Sequence, residues 1–431
     1  MGARRTAGPL ALLGQAPGFR LLFLAALGSG VGTMLAVIAL TVDVYERTGS
    51  GAWVSALLIA DFLPTIAIGL LLGPLVDRLS RRRLMIGADL VRLAAFLALP
   101  FAPNAATIVA LALVVGFANG FFRPAAYAGM PNLVDAADLP RANSLLQATD
   151  NLTWLLGPLL GGALLAAFGP DVPYLVNAAT FAVSALLIAR LPARLLASEE
   201  PLSRGHWHDL AEGFRVVVRS RALLTVLVAW TIVMGGNAAV NVAEVFLVRD
   251  AFDAGNLELG LMMGAAGAGL VLGSLAAGPL LERRPVGLVY GASIATMAVG
   301  FALAAVSPSV WAALPCVIVS GIGNGAASVC NPLLVQTGAP DRVRGRAFTV
   351  VMSVNFAVLG LGMAVAGPLT DAVGPRWLWG GAAAVFAVAA VVAWVLGRTL
   401  PSRSGEADGE RLLVAPAAVP VAQAGDDAAP L

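Results

Sequence analysis

The chain has no lysine, two histidines, two cysteines and four tyrosines in 431 residues. Only 12% of it is charged and 59% is hydrophobic, whereas a soluble domain carries about 25% charged residues. Each shortage excludes something. Without lysine there is no phosphate-binding "GxxxxGK[ST]" loop, so no built-in ATPase is expected. Cys316 and Cys330 fall on one apolar run, roughly 21 Å apart at helical rise, beyond the reach of a disulfide; they read as small apolar fillers. His206 and His208 flank Trp207. Trp207, Leu210, Phe214 and Val217 form one apolar face ending among Arg215, Arg219 and Arg221, which reads as an interfacial helix rather than a metal site. No cofactor, metal, nucleic-acid partner or enzymatic chemistry is expected.

Long apolar runs are abundant instead. A spanning helix needs about 20 predominantly apolar residues, and stretches free of Asp, Glu and Arg recur at 21–42, 93–122, 151–170, 222–243, 259–281, 347–370 and 377–397. Pro285 to Pro340 carries no charge; it is too long for one crossing, and "VSPS" at Val306 to Ser309 supplies a turn. The expected fold is an all-α polytopic membrane protein with twelve spans near 20–44, 52–76, 84–102, 105–128, 142–168, 172–190, 222–248, 257–281, 286–306, 309–335, 345–370 and 377–398. The spans form two six-helix halves, 20–190 and 222–398. They are flanked by an N-terminus (1–19), a central loop with the interfacial helix (191–221) and a tail (399–431) without apolar period, expected to be disordered.

All 27 basic residues are arginine. With the N-terminus inside, the outer loops hold only Arg47, Arg249 and Arg376, and the other 24 fall to the inner termini and loops. Positive charge in short loops marks the cytoplasmic side, so both chain ends are expected in the cytoplasm of a multi-pass protein of the cytoplasmic membrane. No cleavable signal peptide is evident.

A shift of 205 residues superposes Gly73-Pro74-Leu75 on Gly278-Pro279-Leu280, Arg78 on Arg283, Pro103 on Pro308, Gly116 on Gly321 and Asn119-Gly120 on Asn324-Gly325. It also superposes Arg141-Ala142 on Arg346-Ala347, Gly157 on Gly362 and Gly169-Pro170 on Gly374-Pro375. An even number of spans per copy brings both copies in from the same side, related by a pseudo-two-fold axis along the membrane normal. Parallel repeats of this kind form the two halves of major facilitator transporters.

The motifs carry that resemblance further. "GPLVDRLSRRR", residues 73–83, is similar to the signature between the second and third spans of the major facilitator superfamily: a Gly, then Asp-Arg, then a Gly and a basic cluster. Gly73, Asp77, Arg78 and Arg81 to Arg83 match it, and Ser80 stands at the second Gly. "GPLLGG", with Gly157, Pro158, Gly161 and Gly162, resembles the motif of the drug:proton antiporter branch, with Thr153 where that motif usually opens with Gly. The runs "RPAAYAGMPNLVDAADLPRANSLL" and "DLAEGFRVVVRSRALL" look most like exporters grouped with enterobactin and macrolide efflux proteins. The resemblance covers about residues 18 to 400. Many drug antiporters carry an Arg in the fourth span, three residues before a Gln-Gly pair; Gly116 occupies that place here, so their coupling scheme does not transfer directly.

The resemblance implies alternating access, with one half rocking against the other. This needs a cytoplasmic latch. Asp77 is placed to meet the N-terminus of span 11, where free N–H groups and Arg344 and Arg346 favour an anion. By the repeat, Glu282, beside Arg283, would meet the start of span 5 near Arg141. The alternative for Arg78 and Arg81 to Arg83 is that they obey the positive-inside rule and touch lipid phosphates.

Polar residues inside spans mark a pathway, because lipid-facing positions rarely hold them. Ser29 and Thr33 in span 1, Asn119 and Arg123 in span 4, Asn237, Asn241 and Glu244 in span 7, and Asn324, Ser328 and Asn331 in span 10 form stripes at helical spacing. These are the spans that line the central cavity in the superfamily; the alternative is interhelical hydrogen bonding. Gly116/Gly120, Gly157/Gly161, Gly260/Gly264 and Gly321/Gly325 read as close-packing pairs. Asp61, Asp150 and Glu244 are the candidates for proton coupling, since removal from water favours the neutral carboxyl and lets protonation follow exposure to each side. Asp150 has a second reading, a static pair with Arg123. Asp43, near the outer mouth, reads as a solvated rim residue.

The expected activity is proton-coupled export of amphipathic small molecules such as an antibiotic, toxic metabolite or siderophore. The expected partners are the substrate, protons and membrane lipid, and the expected state is a monomer. A nutrient importer on the same fold and a non-transporting membrane sensor are the alternatives.

Overall fold

The structure, a computed structural model, describes residues 11–71, 80–135, 138–192, 214–339 and 341–398. Among these residues there are no strands and twelve long helices: α1 (Pro17–Thr48), α2 (Gly51–Leu71), α3 (Arg81–Ala98), α4 (Ala105–Gly129), α5 (Leu139–Phe168), α6 (Asp171–Ala189), α7 (Arg221–Phe246), α8 (Asn256–Arg283), α9 (Val286–Val306), α10 (Val310–Gly338), α11 (Asp341–Val373) and α12 (Pro375–Gly397). Eleven are long and apolar enough to cross a membrane; α2 runs to the limit of the described residues. Most of the region around Trp207 and all of the tail from 399 lie outside them, and 214–219 forms one short helical stretch.

The helix ends follow local chemistry, twice over. The Asn104 side chain accepts from the Thr107 N–H and starts α4; the Ser309 hydroxyl accepts from the Ala312 N–H and starts α10. Both cap orphan donors of the first turn, and they sit 205 residues apart. Gly169 (φ +75°) and Gly374 (φ +85°) end α5 and α11 in a region of φ that side chains rarely tolerate. Each is followed by Pro, which cannot continue the preceding helix but suits the start of the next.

Packing repeats as the sequence does. α1 lies against α5 and α6 as α7 lies against α11 and α12; α2 packs on α4 as α8 packs on α10; α3 packs on α4 and α6 as α9 packs on α10 and α12. In the first half Phe96 meets Tyr174 at 6.3 Å and Phe181 at 5.7 Å between ring centroids. In the second, Phe301 meets Trp379 and Phe386, each at 5.2 Å. A Cβ at Gly116 would stand 2.5 Å from the Asp61 carbonyl, and one at Gly321 would stand 2.4 Å from the Ala266 carbonyl. The same helix pair is thus brought to backbone contact in each half.

The halves join through α5 against α8 and α2 against α11, at the end whose loops hold Arg47, Arg249 and Arg376. A Cβ on Gly162 would lie 2.7 Å from Gly260 Cα and 2.8 Å from the Asn256 carbonyl; one on Gly367 would lie 2.5 Å from the Gly51 carbonyl. The Ser55 hydroxyl donates to the Met363 carbonyl at 2.7 Å. Asp371 accepts from the Gly51 N–H at 2.7 Å and from the Ser50 hydroxyl at 3.2 Å, so its charge sits on the N-terminus of α2, where the helix dipole favours an anion. The Tyr45 hydroxyl donates to Asp250, and Arg249 pairs with Glu46 at 2.9 Å.

Asp43 departs from the expectation of a solvated rim residue. It is 6% exposed, with Arg47 at 2.6 Å and the Tyr174 hydroxyl donating at 3.0 Å. Arg47, one turn on, and the inward-facing phenol of α6 fold over it.

Replacing Gly321 by Ala should lower the thermal unfolding midpoint of the purified protein, because the new methyl group meets backbone. Gly380→Ala, where nothing lies within 4 Å, should leave the midpoint unchanged or raise it, as Ala is the better helix former by roughly 1 kcal/mol. Equal midpoints in a calorimetric or fluorescence melt would contradict the packing described.

Candidate functional site

Two adjoining cavities lie beneath this seam, one walled by both halves and one by the first half alone. The one nearer the seam is walled by apolar side chains including Met34, Phe62, Trp154, Met263 and Met363, with Asp61, Asn241 and Glu244 as its acidic and amide groups. The second is lined by Ser29, Thr33, Asn119, Arg92, Arg123, Tyr127 and Asp150 among others. Met34, Asp61, Phe62 and Trp154 line both, so the two form one cleft with Asp61 at the join. It leads toward the arginine-rich end, where Arg123 is 62% and Asp150 32% exposed.

The side chains fall into three sets. The hydroxyl groups are satisfied by their own helices: Thr33 donates to the Ser29 carbonyl at 2.7 Å and Thr149 to the Leu146 carbonyl at 2.6 Å. They turn acceptor lone pairs to the cleft without leaving unpaired donors. At the mouth, Arg123 pairs with Asp150 at 2.8 Å and the Tyr127 hydroxyl donates to the same carboxylate at 3.3 Å. Asp150 thus accepts from both Arg123 and Tyr127 at the mouth. Glu244 is the opposite case: it is 9% exposed, and among the described residues no donor or cation is placed on its carboxylate.

Asp61 belongs to a connected network. The Asn119 amide donates to it at 3.4 Å and accepts from Arg92 at 3.1 Å. Arg92 is paired with Asp89 at 2.5 Å, and Asp89 also accepts from the Ser184 hydroxyl at 2.7 Å. Asp89 and Arg92 are not among the residues that the stripes single out, and in the sequence Arg92 stands simply as one of the arginines of the inner side. A signal was present: an acid and a base three residues apart inside an apolar run can neutralise each other on one helix face.

Among the other expected site residues, Ser29, Thr33, Asn119, Arg123 and Asn241 line the cleft. Asn237, Asn324, Ser328 and Asn331 do not line these two cavities; the Asn331 side-chain amide oxygen, Oδ1, is buried without a partner among the described residues. In the "GPLLGG" motif, a Cβ at Gly157 would meet Met34 Cβ at 2.4 Å and one at Gly161 the Leu35 carbonyl at 2.5 Å, while the Pro158 carbonyl lies against Gly260. The motif thus wedges α5 between α1 and α8. Of the latch, Gly73, Asp77 and Arg78 lie outside the described residues. Arg81 opens α3, Glu282 and Arg283 are exposed at the end of α8, and Arg344 and Arg346 fall in the first turns of α11. Arg141 pairs with Asp138 at 2.9 Å, at the start of its own helix.

Burial separates the two ion pairs. Asp89→Asn leaves Arg92, 4% exposed, as an uncompensated charge and should destabilise the protein by about 3–5 kcal/mol. Asp150→Asn leaves an exposed Arg123 and should cost no more than about 1 kcal/mol. Unfolding midpoints of the two variants, compared with wild type, check the order; an equal loss in both would refute it.

The family model for the Major Facilitator Superfamily matches residues 22–359 and 231–424. The chain is 29% identical over 372 residues to the multidrug efflux pump Tap of Mycolicibacterium fortuitum, covering 82% of this chain and 89% of that one. It is 22% identical over 345 residues to macrolide efflux protein A of Streptococcus pyogenes, covering 76% and 83%. Among solved structures it resembles the nucleoside transporter NupG (TM-score 0.72, 15% identity, 87% of this chain and 99% of that one). It also resembles a bacterial homologue of the iron transporter ferroportin in an inward-facing state (TM-score 0.71, 16% identity, 88% and 98%). Repeat, helix packing, central cleft and these likenesses converge: the chain is a multi-pass membrane transporter that belongs to the Major Facilitator Superfamily.

Proposed function

We propose that the protein exports amphipathic small molecules from the cytoplasm in exchange for protons, by alternating access. The observation that carries this is the cleft itself. An apolar wall of Met34, Phe62, Trp154, Met263 and Met363 meets two carboxylates, Asp61 and Glu244, one from each half. Such a surface suits a molecule with a large apolar body and a few polar groups, and the Met side chains adapt to varied shapes. Its likeness to a multidrug efflux pump and a macrolide efflux protein supports export over import.

The arginine-rich end is read as cytoplasmic from the charge of its loops; on that reading both chain ends are cytoplasmic, and the membrane assigned is the cytoplasmic one. The seam then closes the outer side, and the cleft opens inward. Substrate enters from the cytoplasm. The halves then rock, the outer seam parts, and a proton entering from outside is carried back as the inward-open form returns. Asp61, at the join of the two cavities, is assigned the proton, and Glu244 faces the same space from the other half. Asp150 is assigned to the mouth, held by Arg123. The latch of Asp77 with Arg344 and Arg346, and of Glu282 with Arg141, is assigned to holding the cytoplasmic side shut when the outer side opens.

The test is flux in proteoliposomes, with a labelled macrolide and ethidium as probes and pH gradients of either sign. Wild type should accumulate a probe uphill only when the proton gradient opposes substrate movement. Asp61→Asn should abolish uphill accumulation and leave downhill exchange, since a neutral side chain mimics the protonated state and removes only the proton step. Accumulation in the same direction as the proton gradient would make the protein an importer. No flux of any probe under any gradient would support a sensor.

A further inference from the structure

Arg92 is an expensive residue to hold where it stands. It is 4% exposed, in the middle of a helix that carries membrane-spanning length and composition, and charges there are rare unless they serve a function. Its guanidinium carbon stands over two aromatic rings, 4.5 Å from the Phe122 centroid and 4.4 Å from that of Phe181. One edge is held by Asp89, which Ser184 holds in turn. The remaining arm, Nη1, reaches the Asn119 oxygen at 3.1 Å.

That contact decides which way the Asn119 amide points. Arginine has N–H donors and no acceptor, so the amide oxygen must face it. The amide nitrogen is then left facing Asp61, at 3.4 Å. An N–H directed at a carboxyl group is matched to its ionised form. We propose that Arg92 is a positioning residue for Asp61: through Asn119 it presents an N–H donor to Asp61 in the inward-open cleft, so that a proton arriving there is given up to the solvent on that side. The proposal rests on the reading that Asp61 carries the coupling proton.

The second half supplies the control. At 205 residues' offset, Asp61 becomes Ala266, Asp89 becomes Ile294, Arg92 becomes Met297 and Ser184 becomes Ala389, while Asn119 and Phe181 keep their kind as Asn324 and Phe386. Ile294, Met297, Phe386 and Ala389 are fully buried. The same helix packing therefore stands without any of the charges, and the acid, the base and the hydroxyl are additions that accompany Asp61. Gly116 explains why the cation comes from α3. A Cβ there would collide with the Asp61 carbonyl at 2.5 Å, so α4 cannot carry a long side chain at that point.

Arg92 and Asp89 cancel, so the net charge of the network follows Asp61. The other titratable or charged groups on the cleft are Glu244 from α7, Asp150 from α5, and Arg123 and Tyr127 from α4. α1, α8 and α11 contribute none to its lining.

Infrared difference spectra between acidic and alkaline pH, recorded on the full chain in lipid vesicles, test this without a substrate. The Asp61 carboxyl C=O band is identified by its loss in Asp61→Asn. In Asn119→Leu the band should persist, move to higher frequency and titrate with a midpoint displaced by about one pH unit, a tenfold change in proton affinity. The triple variant Asp89→Ile, Arg92→Met, Ser184→Ala, which copies the second half, should displace it likewise. Arg92→Lys keeps the charge beside Asp89 but lacks the second arm of the fork, so it should shift the band too and decides the matter if the triple variant does not fold. A band unmoved in the triple and Lys variants overturns the proposal, even if Asn119→Leu moves it, because the amide would then be oriented without Arg92. The assignment of the proton to Asp61 survives that result. A wild-type spectrum with no Asp61 band at any pH that preserves the fold overturns both.

Discussion

Backbone touches backbone where Gly162 meets Gly260 and where Gly367 meets Gly51. These two contacts, one on each side of the pseudo-two-fold axis, bring the halves together at one end and leave the cleft between them at the other. The repeat makes them equivalent, since Gly162 and Gly367 are 205 residues apart, as are Gly51 and Asn256. The remaining contacts of the seam are of low individual worth: an exposed Arg249–Glu46 pair, which is worth about 0–1 kcal/mol, a carboxylate on a helix start, and single hydroxyl bonds. A joint of this kind can hold shut and still part. Within each half, by contrast, the aromatic clusters around Phe96 and Phe301 and the contacts at Gly116 and Gly321 make bodies that are costly to deform. Soft between, stiff within, is what rocking requires.

The halves share a framework but not its chemistry. Charge inside the first half is concentrated along Asp61, Asn119, Arg92 and Asp89, with Arg123 and Asp150 at the mouth. In the second, the corresponding helices are packed with Ile294, Met297 and Ala266, and Glu244 is its one acid on the cleft. The first half thus carries the charged network and most of the apolar wall, and the second adds Leu259, Met263 and Met363 with a single carboxylate beside them.

Much of the fold was legible from the chain. Twelve spans, their order and the constant offset followed from runs of apolar residues and paired glycines, because a bilayer fixes helix length and a repeat fixes packing. The cleft was legible in part. Ser29, Thr33 and Asn119 reach it as their spacing implied, but the α10 stripe of Asn324, Ser328 and Asn331 does not line the two cavities. Helices that are apolar all round do not declare which face meets which neighbour, and polar residues in them serve packing as readily as a pathway. Asp43 misled for a related reason: its position along the helix said rim, while Arg47 and Tyr174, brought from one turn and one helix away, made it a buried pair. Arg92 is hidden because its charge agrees with the basic inner side, while its depth in the span, not its sign, is what sets it apart.

The central claim is that transport requires the seam to open. Ser50→Cys with Asp371→Cys, in a background without Cys316 and Cys330, places two thiols where the Ser50 hydroxyl now lies 3.2 Å from the Asp371 carboxylate. Probe flux through the oxidised, cross-linked protein, measured in proteoliposomes before and after reduction, addresses the claim directly. The account predicts that cross-linking stops flux and that a reductant restores it. Undiminished flux through quantitatively cross-linked protein would contradict it.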